Sequence, residues 1–229
     1  MRYKAVLFDL FGTLVDNFTM SEYSKILENM AAVLNAPAEG FARLWRGYFT
    51  QRVNGTHLTH EDSIRIICQD LDVAVTEEQS QHAADIRLEY TVLSLKPKPE
   101  AVQVLTRLRK QGLKLGLISD CSPETPKAWP GTAFTPYFDV TIFSCEVNMK
   151  KPDPRIYKMA TDRMGIKPED CLYVGDGSSH ELTGARAVGM QAVLIRHTDE
   201  TVDEVVMERE DDWDGPRITR LREVLNLVK

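Results

Sequence analysis

The spacing of apolar and polar positions changes character twice along the chain. Lys4-Ala5-Val6-Leu7-Phe8 is a short run with almost no polarity, which predicts a strand buried on both faces. From about residue 20 to 93 every segment carries helical spacing instead. Ile26, Leu27, Met30 and Leu34 predict a first helix, and Phe41, Leu44, Trp45, Tyr48 and Phe49 mark one face of a second. Thr59-His60-Glu61-Asp62 offers an N-cap before Ile64, Ile67, Cys68 and Leu71. Thr76 and Gln79 have capping-box spacing ahead of Ala83, Ile86, Tyr90 and Leu93. Four helices in a row make a small bundle; Trp45, Tyr48 and Phe49 are expected in its core, with a pocket lining as the alternative for one of them.

Lys96-Pro97-Lys98-Pro99 ends that pattern and strands return. Leu113–Ile118 runs to Ser119-Asp120, Asp139–Phe143 to Ser144, and Cys171–Val174 to Gly175-Asp176; Gln191–Ile195 is the last strand expected. Helical stretches fall near 99–111, 153–164, 179–189 and 216–228. Alternating strands and helices predict a parallel α/β sheet with right-handed crossovers. The expected organisation is a core of residues 1–16 and 96–229 with an inserted four-helix cap at 17–95. The linkers fall around Asp16-Asn17 and Leu95-Lys96.

Composition narrows the function classes. The 229 residues suffice for a sizeable core, and a net charge of −6 argues against a nucleic-acid or membrane-surface partner. Cys68, Cys121, Cys145 and Cys171 show no CxxC spacing, which fits reduced, buried thiols in a cytoplasmic protein. Asp9 and Gly12 interrupt the first apolar run before it can serve as a signal peptide, and no stretch approaches transmembrane length. The acidic run Glu208-Arg209-Glu210-Asp211-Asp212 reads as a solvated loop. The expected partner is a small-molecule substrate, bound by a monomer or homodimer.

The strand ends carry the candidate chemistry, because open α/β sheets bind ligands beyond the carboxyl ends of their strands. Asp9 ends the first strand, and its carboxylate can accept a transferred group. Gly12 lets the chain turn away at once. Ser119 offers a hydroxyl, Lys151 a cation before a proline-flanked turn, and Asp176 a second carboxylate. Two carboxylates 4 Å apart repel by roughly 4 kcal/mol at an effective dielectric near 20. Such a pair calls for a cation, either Lys151 or Mg²⁺ held by oxygen ligands.

Taken together, these residues resemble the haloacid dehalogenase superfamily of hydrolases, over essentially the whole chain. Phe8-Asp9-Leu10-Phe11-Gly12-Thr13-Leu14-Val15-Asp16, Ile118-Ser119-Asp120, Lys151-Pro152-Asp153-Pro154 and Val174-Gly175-Asp176-Gly177 look like its four motifs, in order. The resemblance implies a Rossmann-like core, Asp9 as nucleophile, and Thr13 as its hydrogen-bond support. It implies Ser119 and Lys151 as catalytic binders of the transferring group, in a substrate site with Phe11, Gly12 and Asp120. It also implies Mg²⁺ on Asp9, Asp176, the Phe11 carbonyl and Glu181. Glu181 can reach that ion through water, orient Lys151, or simply begin a helix.

Two departures divide the functional expectation. Phosphatases of this family usually carry an Asp proton donor where this chain has Phe11. The 2-haloacid dehalogenase branch has an aromatic there, and Lys151 with Tyr157 also resembles it. Asp176 points back to the metal branch. A dehalogenase would also want a cationic cap residue, and Arg43, Arg46 and Arg52 sit in no motif. A third branch, phosphonoacetaldehyde hydrolase, uses a cap lysine, whereas Lys25 is the only lysine between residues 17 and 94. The leading expectation is a Mg²⁺-dependent phosphatase of small metabolites without the usual acid. The alternatives are a metal-independent 2-haloacid dehalogenase and an inactive, ligand-binding regulator. Tyr157 is expected at a helix–sheet interface, His180 in solvent, and Cys121 as a bystander.

Overall fold

The computed structural model describes residues 3–56, 59–197 and 213–229. Six strands form one parallel sheet: β1 (Ala5–Phe8), β2 (Lys114–Ser119), β3 (Val140–Phe143), β4 (Cys171–Gly175), β5 (Gln191–Ile195) and β6 (Arg217–Ile218). Their order is β3-β2-β1-β4-β5-β6. Central β1 places Ala5 opposite Lys114 on one side and Cys171 on the other. All four of its residues are buried, since both faces are covered. Val6 and Phe8 join one hydrophobic layer and Ala5 and Leu7 the other, as strand alternation requires.

Between β1 and the rest of the sheet the chain builds α1 (Met20–Val33), α2 (Ala38–Gly47), α3 (Phe49–Val53), α4 (His60–Asp70) and α5 (Glu77–Ser94). They share a hydrophobic cluster of their own that includes Leu27, Met30, Phe41, Trp45, Ile64 and Ile67. Thr59 accepts from the Asp62 N–H, and Thr76 and Gln79 form a full capping box, so both expected helix starts are present. The sheet is then covered by α6 (Ala101–Lys110), the short α7 (Glu124–Ala128) and α8 (Ser144–Val147), α9 (Pro154–Met164), α10 (Glu181–Ala187) and α11 (Val224–Leu227).

Three elements differ from the sequence expectation. The second helix expected after β1 is broken at Tyr48, just after Gly47, a poor helix former, and the Tyr48 hydroxyl is drawn to Asp70 at 2.5 Å. The inward face of α5 is Ser80, Ala83, Ala84, Arg87 and Thr91, while Leu93 is 56% exposed. An ion pair between Arg87 and Glu124 turns that face inward. The segment expected as a helix over 216–228 supplies edge strand β6, a 3₁₀ turn at Leu221–Glu223 and only then α11. β5 is therefore not the last strand. A two-residue strand is too short to show a period, and it exists because Leu194 and Arg196 of the β5 edge donate to the Pro216 and Ile218 carbonyls. The acidic run 208–212 lies outside the described residues.

The two chain crossings between helical layer and sheet meet at an antiparallel bridge of Val15 and Pro97, beside a Lys98–Asp16 ion pair. All four cysteines are buried and unbridged. Among the described residues no helix is long and apolar enough to cross a membrane.

Leu27 lies at the centre of the helical cluster with no exposed surface. Leu27→Ala is expected to lower unfolding free energy by about 2–5 kcal/mol, read from urea denaturation. A loss below about 1 kcal/mol would show that the helices close over the cavity without cost.

Candidate active site

Parallel pairing brings the ends of β1, β2 and β4 to one edge of the sheet. Asp9 and Asp176 each follow directly on adjacent strands, and Ser119 ends the strand on the other side of β1. The Asp9 N–H still donates to the Val174 carbonyl at 3.0 Å, so the nucleophile candidate is fixed by the ladder itself. The chain then turns back within five residues, with the Thr13, Leu14 and Val15 N–H groups all reaching the Leu10 carbonyl. Gly12 occupies a positive φ of 76°, and a Cβ there would stand 2.6 Å from Asp176 Oδ2. Glycine is thus required both by the turn and by the closeness of the second carboxylate.

Asp9, Asp176 and Glu181 are buried, and one oxygen from each lies within 4.8 Å of the others. Lys151 Nζ stands between two of them, 2.6 Å from Asp9 Oδ1 and 2.5 Å from Glu181 Oε2. The Thr13 hydroxyl donates to Asp9 Oδ2 at 3.2 Å. Glu181 receives two further donors, the Tyr173 hydroxyl at 2.7 Å and the Gly177 N–H at 3.0 Å. A Cβ on Gly175 would collide with that carboxylate, so Glu181 can lie against the strand only because residue 175 has no side chain.

Charge explains the protonation behaviour. Burial raises Asp9 to about 6; Lys151 pulls against that rise and Asp176 adds to it. Burial likewise pushes Glu181 well above its ordinary range, reinforced by Asp9. Burial alone would lower Lys151, but the attraction of Asp9 and Glu181 outweighs it and the ammonium is held well above its usual value. With all four groups ionised, three negative charges face one positive charge. The cluster is short of cation and built wholly of oxygen donors, which is the chemistry a small divalent ion accepts.

Among the other expected residues, the Ser119 hydroxyl is buried with no hydrogen-bond partner. Asp120 Oδ1 accepts the Lys151 backbone N–H at 3.0 Å and so holds the lysine turn against the end of β2. The Phe11 ring packs on Phe18 with centroids 5.1 Å apart, which places it under the helical layer. Tyr157 donates to the Glu181 carbonyl from α9, at the helix–sheet interface, and His180 is exposed.

The family model for haloacid dehalogenase-like hydrolases matches residues 3–189. The chain belongs to that family. It is 29% identical to a glyceraldehyde 3-phosphate phosphatase of Methanopyrus kandleri, across 99% of this chain and 97% of the relative. It is also 27% identical to an (S)-2-haloacid dehalogenase of Pseudomonas putida, across 88% of each. Among solved structures, a HAD phosphatase from Thermococcus onnurineus superposes with a TM-score of 0.69 at 24% identity, covering 98% of this chain and 97% of that one.

This haloacid dehalogenase-like hydrolase has a cavity of about 250 Å³ between the helical layer and the sheet edge. Phe11 and Asp120, close to Asp9 and Ser119 in sequence, form part of its wall, together with Phe18, Phe49, Arg52 and Arg87. Sequence reasoning did not find Arg87, Glu124, His60 or Tyr173. Arg87 carried a faint signal, an arginine in line with Ala83 on α5. Glu124 carried none, because its partners come from a distant part of the chain.

Lys151→Met removes the ammonium that contacts Asp9 and Glu181. With a chelator present, the variant is expected to lose about 3–5 kcal/mol of stability at neutral pH. The sign follows from the raised carboxyls: their folded forms prefer to be neutral, so the penalty grows above their unfolded values near 4 and vanishes below them. Unfolding of both proteins from pH 4 to 8 checks this; a penalty that does not shrink at pH 4 contradicts it.

Proposed function

We propose that the enzyme is a Mg²⁺-dependent phosphatase of small metabolites, working through an aspartyl-phosphate on Asp9. The observation that carries this reading is the excess of negative charge at Asp9, Asp176 and Glu181 after Lys151 is counted. Asp9 and Asp176, the Phe11 carbonyl and, directly or through water, Glu181 would hold the ion. Once bound, it supplies positive charge against the transferring phosphoryl group. Residues 1–16 and 96–229 then act as catalytic core, with 17–95 as the cap that closes over the substrate.

In the first step an Asp9 carboxylate oxygen bonds to phosphorus while the bond from phosphorus to the leaving oxygen breaks. Thr13 holds the second Asp9 oxygen and so fixes which one attacks. Lys151 and the unengaged Ser119 hydroxyl hold the phosphoryl oxygens, so that positioning and charge neutralisation carry the reaction. Water then attacks phosphorus, releasing inorganic phosphate and restoring the carboxylate. Glu181 is a positioning residue, setting Lys151 through its contacts with Tyr173 and Gly177.

The leaving oxygen needs a proton, and Phe11 has none to give. Water or the leaving group's own acidity serves instead, so simple alkyl phosphates should turn over slowly. The same residue supports a second reading, 2-haloacid dehalogenation, in which Asp9 attacks carbon and halide departs unprotonated.

Phe11→Asp is expected to raise kcat on an alkyl phosphate by at least about tenfold, against the ~10²–10⁴ typical of general acid catalysis. No gain would count against the missing-acid reading. Phosphate release should vanish with EDTA and return with Mg²⁺. Halide release from 2-chloropropionate that ignores EDTA, with no phosphate release from any ester, would instead select the dehalogenase.

A further inference from the structure

Arg52, on the short helix α3, is a buried cation without a carboxylate to itself. Its side chain is 1% exposed, yet it forms no ion pair with a carboxylate among the described residues. It bonds the Trp45 carbonyl at 2.6 Å, stacks over the Trp45 ring at 4.2 Å and meets the Tyr23 hydroxyl. Its Nε has no partner. The carboxylate that favours its charge is Glu124, but that group is bound by Arg87 at 3.0 Å and by His60. Two buried guanidiniums therefore share one buried carboxylate. Asp120, the other acid in the cavity wall, is tied to the Lys151 backbone through Oδ1, while its Oδ2 has no hydrogen-bond partner. Burying an unpaired charge is costly, and a ligand of opposite sign relieves that cost when it binds.

Arg52 and Arg87 line the cavity that starts beside the Asp9 loop, as does Arg46, an exposed side chain that donates to the Ser24 hydroxyl. The same wall includes the rings of Phe11, Phe18 and Phe49. We propose that Arg52 binds a carboxylate of the substrate, so that the enzyme acts on small acids carrying the transferred group at one end and a carboxylate at the other. The planar guanidinium fork matches a carboxylate in geometry as well as charge. A cavity of about 250 Å³ is small for a binding site and suits a compact molecule with a short hydrocarbon spacer. Arg87 keeps Glu124 occupied, which leaves Arg52 to the ligand. This assignment rests on the reading of Asp9 as the group acceptor and adds the class of molecule presented to it.

The test uses phosphoric monoesters of ω-hydroxy carboxylic acids with one to three methylenes, each beside its neutral carboxyl methyl ester. The native enzyme should prefer the free acid by at least about tenfold in kcat/KM, the usual weight of a charge-assisted contact in a dry site. In Arg52→Gln the preference should fall to near unity, and Arg52→Lys should restore part of it. A native preference below twofold, or one that survives Arg52→Gln, overturns the proposal. If no ester of either kind releases phosphate, the phosphatase reading fails, and the arginine is judged by binding alone. Saturation-transfer NMR with butyrate should then give a signal with the native enzyme that is lost in Arg52→Gln. Equal signals, or none with the native enzyme, reject the carboxylate site.

Discussion

Everything at the sheet edge depends on one ammonium placed between two buried carboxylates. Lys151 touches Asp9 and Glu181 at once, and without it three acids could not share so small a volume. The surrounding structure serves to hold that contact. Asp120 ties down the lysine backbone, Tyr173 and the Gly177 amide hold Glu181, and Gly175 leaves room for its carboxylate. The remaining negative charge is the source of the proposed affinity for Mg²⁺. A site that were neutral without the ion would have little electrostatic reason to bind it.

A second buried charge cluster, formed by His60, Arg87 and Glu124, lies where the helical layer meets α7. Burial alone would raise Glu124, but Arg87 and His60 more than offset it and hold the carboxyl below its ordinary range. For His60 burial dominates and lowers the imidazole, so the stable partner of Glu124 is the arginine. This cluster joins helices α4 and α5 to the sheet layer with charged contacts, beside the apolar packing of Leu88 on the core. The wall of the cavity between the layers carries three arginines, Arg46, Arg52 and Arg87, beside the rings of Phe11, Phe18 and Phe49.

Phe11 connects the two halves. Two residues beyond Asp9, it leaves the strand-end loop to pack on Phe18 at the entrance to α1. An aromatic ring there seats the helical layer and offers no proton. In the proposed phosphatase, a change at residue 11 would therefore alter both the seat of that layer and the supply of protons to a leaving group.

Local pattern determined much of this protein. The five longer strands, both capped helix starts, and the placement of Asp9, Ser119, Lys151 and Asp176 at strand ends or turns could all be read from spacing and punctuation. Those features depend on neighbours in sequence, and a buried parallel strand must be apolar wherever it lies. Tertiary structure decided the inward face of α5, the break at Tyr48 and edge strand β6. It also decided the pairing of Arg87 with Glu124 and the isolation of Arg52. Each of these depends on what a distant segment brings into contact. A hydrophobic period reports only the average environment of a helix face, whereas the burial of a charge is settled by whether one particular opposite charge, far along the chain, arrives beside it.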